Sequence, residues 1–146
     1  MTQDVLLTIS GLQAEIDSED ALELITAADY YKKNGKHYLV YTELVPETGD
    51  EIKNTIKMTD ERVDVIKHGI QNVHMIFEPS KKNISCYNTM VGSLIIGIHT
   101  LEIDLRESDE KISAKINYVL EINDNHVSDC EILLNVVPRQ KGNLTL

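Results

Sequence analysis

The amino-acid sequence predicts an all-β fold: an antiparallel meander of about eight to ten strands closed into an up-and-down barrel, with a two-sheet sandwich as the alternative way of covering the sheet edges. Composition is the first observation behind this. Among 146 residues there are 17 Ile, 11 Val and 10 Thr against 5 Ala. β-Branched side chains lose rotamer freedom in a helix and pack well on a pleated surface, so a helical bundle is excluded. The second observation is alternation of apolar and polar residues, which recurs along the chain and puts every second side chain on one face of a strand. The third is the shortness of the connections, mostly about two to five residues, which leaves no room for the crossovers that parallel strands need. A chain of this length supports one core, so residues 1–138 read as a single barrel domain and 139–146 as a C-terminal tail without an assignable pattern.

Val5, Leu7 and Ile9 share a face of the first strand, and Gly11 marks a bend or bulge in it. The acidic stretch 17–20 reads as the connection to a second strand whose Leu22, Leu24, Thr26, Ala28 and Tyr30 share a face, with a short helix over 20–28 as the alternative. Asn34-Gly35 is a hairpin signal, because both central positions of a type I′ turn need positive φ, and it joins strand 24–33 to strand 37–44. The turn PETGD at 46–50 leads to strand 51–58, and residues 59–61 turn into strand 62–67. Gly69 precedes strand 71–77, residues 79–83 break the run, and another strand covers 84–90. Over 93–105 the apolar parity changes, since Leu94, Ile96 and Ile98 are even whereas Leu101, Ile103 and Leu105 are odd, and a bulge near His99 and Thr100 restores one face. After a turn at 107–110, the six residues from Ile112 to Ile122 at every second position give the clearest strand. Residues 123–125 then turn into a strand carrying Cys130, Ile132, Leu134 and Val136, which Pro138 ends.

The formal net charge of −10 repels phosphates and anionic lipid surfaces, so neither nucleic acid nor a membrane is expected as a partner. The N-terminal residues MTQDVLLTIS lack the basic start and the apolar run of a secretory signal. The apolar stretch 91–98 is far short of the roughly 20 residues of a membrane span. The expected location is therefore cytoplasmic, with Cys86 and Cys130 as two buried free thiols. His37, His68, His74, His99 and His126 form no metal-ligand spacing, and NDNHVSD at 123–129 lacks the Gly and Glu that a calcium loop requires. No glycine-rich phosphate loop occurs, so no metal and no cofactor is expected.

The run YYKKNGKHYLVYTE at 30–43, the strand around Lys57, KHG at 67–69 followed by Met75 and Phe77, YNTMVG at 87–92 and the late strand with Tyr118 resemble the YwiB-like family. These are small bacterial proteins of unknown function with a calycin-like, lipocalin-type β-barrel, and the similarity spans residues 3–137. The resemblance implies a fold and no reaction. It also implies a set of inward-prone polar and aromatic positions: Tyr41, Glu43, Lys57, Lys67, Thr89, Thr100 and Tyr118. Lys67 stands where the family tends to have Arg, and a lysine does not reproduce the planar bidentate fork of a guanidinium.

These residues are the candidate ligand-binding positions of the barrel interior; none is assigned as catalytic. Both faces of strand 37–44 carry apolar residues, so parity does not decide whether Glu43 points inward. If it does, Lys57 or Lys67 should lie within ion-pair reach, since a lone buried charge costs several kcal/mol. Three functions follow. The first is a binding module that accepts a small amphipathic molecule inside the barrel. The second is a barrel filled by its own side chains and acting through protein contacts. The third is an enzyme using Glu43 with Lys57 or Lys67 as acid and base.

Overall fold

The computed structural model describes residues 3–12, 22–69, 72–89 and 92–139, with the backbone alone at 12, 22 and 87–89. Its elements are β1 (Asp4–Leu12), β2 (Leu22–Lys33), β3 (Lys36–Leu44), β4 (Glu51–Met58), β5 (Val63–His68), β6 (Val73–Phe77), β7 (Lys82–Thr89), β8 (Gly92–Glu107), β9 (Ile112–Ile122) and β10 (Asn125–Pro138). The helix alternative near residue 20 gives way to a strand from Leu22 onward. The acidic connection and the tail beyond residue 139 lie outside the described residues.

All ten strands belong to one antiparallel sheet ordered β6-β5-β4-β3-β2-β1-β10-β9-β8-β7, so the sandwich alternative is displaced by a nearly closed barrel. Nine of the strand-to-strand steps are ladders, and the first and last strands form one of them, with Val5 opposite Pro138 and Leu7 opposite Val136. The discontinuity falls instead between β6 and β7, which are consecutive in sequence. There the Ser85 hydroxyl reaches the His74 carbonyl at 3.5 Å. The intervening turn is held to β8, because Ser80 N–H donates to the Thr100 carbonyl (3.0 Å) and Thr100 N–H to the Lys81 carbonyl (3.2 Å). Phe77 meets Tyr118 edge to face at 5.0 Å and closes the interior behind this seam.

Local chemistry sets the register. Asn34 and Gly35 both have positive φ (54° and 77°), as the type I′ hairpin demands, and Asn123 and Asp124 (50° and 68°) repeat the device between β9 and β10. Gly11 has φ +84°, and a β-carbon there would lie 1.9 Å from the Glu131 carbonyl oxygen, so only glycine lets β1 approach β10. The β1 register shifts at this position. The β8 register shifts between Thr100 and Glu102, one residue beyond the expected bulge, and pushes Leu101 out to 56% exposure. Ile96, Ile98 and Thr100 before the shift and Ile103 and Leu105 after it thereby face the same interior.

That interior is lined by Val5, Leu7, Ile9, Leu39, Ile56, Met58, Val65, Phe77, Ile116, Leu134 and Val136, all buried. Each such side chain contributes about 1.5–3 kcal/mol through the apolar surface it removes from water. Cys86 departs from the expectation of burial: it is exposed, Cys130 is half-buried, and both thiols are free. The cause is register, since Cys86, on the edge strand β7, pairs with the outward-facing Ile95 of β8. Among the described residues no helix is long and apolar enough to cross a membrane.

Candidate functional site

Of the seven positions singled out from the sequence, Tyr41, Glu43, Lys67, Thr100 and Tyr118 lie on the inner face of the barrel wall. Lys57 does not. Its neighbours Ile56 and Met58 are buried inward, so strand alternation turns Lys57 outward, where its ammonium stands 5.9 Å from the centroid of the Tyr38 ring. The backbone of Thr89 ends β7, and its side chain lies outside the described residues.

Tyr41, Glu43 and Lys67 are gathered around a residue that sequence reasoning missed, Asn54. In the ladder Tyr41 faces Asn54 and Asn54 faces Lys67, which puts β3, β4 and β5 side chains in one row. Glu43 Oε1 accepts from Lys67 Nζ and from Asn54 Nδ2, both at 2.9 Å. Asn54 Nδ2 also reaches the Ile52 carbonyl at 3.3 Å. The Lys67 side chain is 13% exposed and that of Glu43 34%, so the pair sits at the edge of the interior. It lies toward the end where β3 runs into β4 and β5 into β6. Asn54 shares parity with Ile52, Ile56 and Met58, and a polar residue within that apolar set was the signal available.

Several buried polar atoms here have no hydrogen-bond partner. They include Tyr41 Oη, Asn54 Oδ1 and Thr100 Oγ1, on residues that are each at least nine-tenths buried, whereas the buried Tyr118 hydroxyl has the Cys130 thiol across the β9–β10 ladder as its neighbour. Leaving such an atom unsatisfied costs about 1–3 kcal/mol. Burial, reinforced by the Glu43 charge, raises the Tyr41 phenol well above its ordinary range, so it remains a neutral hydroxyl able to donate.

A second polar constellation lies at the opposite end. Tyr30 Oη is 2.8 Å from His37 Nδ1, and His37 Nε2 is 3.5 Å from Glu107 Oε1, whose carboxylate also holds Lys32 at 3.2 Å. A cavity of about 470 Å³ lined by Tyr30, Tyr31, Lys32, Glu107 and Ile112 opens beside it. The order nucleophile, base, carboxylate invites a catalytic reading, but the electrostatics oppose it. Burial and then Glu107 raise the Tyr30 phenol; burial lowers the His37 imidazole, with Lys32 adding to that and Glu107 opposing it. Proton transfer from phenol to imidazole is thus disfavoured. On the outer face the buried carboxylate of Asp64 takes Arg62 (2.7 and 3.0 Å) and His74 Nε2 (2.7 Å).

Comparison with known proteins adds the family and the fold. Residues 7–134 match the family described as "Domain of unknown function (DUF1934)". The chain is similar to the ywiB protein from Bacillus subtilis, known from a crystal structure, with a TM-score of 0.74 over 94% of this chain and 93% of that one. Identity between the two is 21%, so the likeness is one of fold. No curated protein matches the chain.

Proposed function

The chain belongs to the DUF1934 family, and on that premise we propose that it is a small-molecule-binding β-barrel, taking an amphipathic ligand whose polar end docks against Tyr41, Asn54, Glu43 and Lys67. One observation carries this reading: Asn54 is wholly buried and its amide oxygen has no partner, although its amide nitrogen is held by Glu43 and Ile52. A buried acceptor left open in the barrel wall is the kind of group a ligand or an ordered water satisfies. Thr100 and Tyr118, farther along the inner face, extend the polar lining toward the apolar interior. Free thiols on Cys86 and Cys130 fit a protein working in a reducing cytoplasm.

Native mass spectrometry of protein purified from its own cells tests the proposal. The expected result is a noncovalent adduct that is released on denaturation and is lost from Asn54→Leu protein. The chain alone, with ordered waters on Asn54 Oδ1 and Tyr41 Oη in a high-resolution crystal structure, would overturn it. The reading as a filled barrel acting through protein contacts draws on Ile84 and Ile95, which stand exposed beside Cys86 on the outer face of the β7–β8 hairpin.

A further inference from the structure

Resting on the interior as a binding site, we propose that the group it takes is a neutral carboxamide, a primary amide or lactam carried by a small molecule, held between Asn54 and Tyr41. The orientation of the Asn54 amide is fixed from behind. Its Nδ2 donates to Glu43 Oε1 at 2.9 Å and to the Ile52 carbonyl at 3.3 Å, so the unsatisfied atom of the side chain is the buried Oδ1. An amide oxygen only accepts, and its ligand must therefore bring an N–H or O–H.

Tyr41 faces Asn54 directly in the β3–β4 ladder, and its hydroxyl is buried without a partner. Such facing side chains start about 4.5–5.5 Å apart at their β-carbons. Together they offer one acceptor and one group able to donate. A carboxamide presents the complement, an N–H and a C=O on one rigid planar unit, and satisfies both atoms with no charge to desolvate.

Charged head groups fit worse. A carboxylate brings no donor to Asn54 Oδ1, and a carboxylate or phosphate comes up against the Glu43 carboxylate. The one cation in the row, Lys67, already has its charge matched by Glu43 at 2.9 Å. An ammonium satisfies Asn54 Oδ1 but has no acceptor for the Tyr41 hydroxyl, and it has to shed water next to Lys67.

The test uses the full chain, labelled with nitrogen-15, titrated at pH 7 with three probes of equal carbon number: hexanamide, hexanoate and hexylammonium. Hexanamide should shift the Asn54 side-chain amide resonances and bind at least about tenfold more tightly than either charged probe, the scale of one well-made hydrogen bond. Tyr41→Phe, which keeps the ring and its packing, and Asn54→Leu should each weaken hexanamide about tenfold or more. If hexanoate or hexylammonium binds as tightly as hexanamide and moves the same resonances, the interior is a binding site and the carboxamide assignment is wrong. If no probe moves an inner-face resonance, the assignment and the binding reading fall together.

Discussion

Glu43 and Lys67 are joined at 2.9 Å although they belong to β3 and β5, strands that do not pair; the bridge passes over β4, where Asn54 lies beneath it and shares the same carboxylate oxygen. Both charges thus depend on one oxygen atom and on a neutral residue that is fully buried.

Replacing Glu43 by Gln should destabilise the protein by about 1–2 kcal/mol, above the level of an exposed pair and below the 3–5 kcal/mol of a fully buried one, because the carboxylate is partly hydrated. The double change Glu43→Gln with Lys67→Met should recover part of that loss, since no lone cation is then left at the edge of the core. Denaturant midpoints at constant m-value measure both. A single-mutant shift within about 0.5 kcal/mol would place the pair among ordinary surface contacts.

His37 makes stability fall on mild acidification. Its folded-state pKa is lowered below 6.5, chiefly by burial. The unfolded chain therefore binds this proton first, and the stability contributed by a neutral His37 is complete above pH 6.5 and lost as the pH drops from there toward the folded value. Thermal unfolding between pH 7.5 and 5 should show the decline, and His37→Gln should flatten it. An unchanged slope in that variant would assign the decline to another group.

Asp64 acts in a separate, lower window. Burial alone would raise its pKa, but the hydrogen bonds and charges of Arg62 and His74 outweigh that and hold the carboxyl below its ordinary 3.8. The contribution is full above the unfolded value of 3.8 and disappears as the pH falls through the folded one. Asp64→Asn should cost about 1–3 kcal/mol at pH 7 and should cost progressively less below pH 3.8. Chemical denaturation of both proteins at pH 7 and pH 3 distinguishes this from a pH-independent loss.

Gly11→Ala and Gly49→Ala should differ sharply. Both residues have positive φ, +84° and +74°. At Gly49 nothing lies within 4 Å of an added β-carbon, so only the backbone penalty of about 1–2 kcal/mol applies. At Gly11 the added carbon meets the Glu131 carbonyl at 1.9 Å, and the β1–β10 ladder has to part. Comparable melting temperatures for the two variants would contradict the close approach.

The parts of this fold that were legible in the sequence are those encoded within a few residues. Asn34-Gly35 specifies its own turn, and the unbroken alternation from Ile112 to Ile122 fixes one buried face whatever lies across from it. The parity change in β8 even signalled its bulge. Lys57 is misplaced because its inward assignment rests on the family resemblance, whereas the alternation of Ile52, Ile56 and Met58 within its own strand already puts it on the opposite face. Cys86 was misread as buried because its exposure depends on β7 being an edge. The contact of Lys32 with Glu107 spans 75 positions and exists only because the barrel curves round on itself, which no local pattern encodes.

The pairing of β1 with β10 also has a consequence for how the protein is made. The two strands meet in the middle of the sheet, roughly 130 residues apart along the chain. During synthesis, β2 to β6 and later β7 to β9 can zip into hairpins as they emerge from the ribosome, because each pairing is local. The joint between the two halves waits for β10 to be released. Until then β1 and β9 each carry an open edge over apolar side chains, so the nascent chain passes through its most aggregation-prone moment just before β10 emerges.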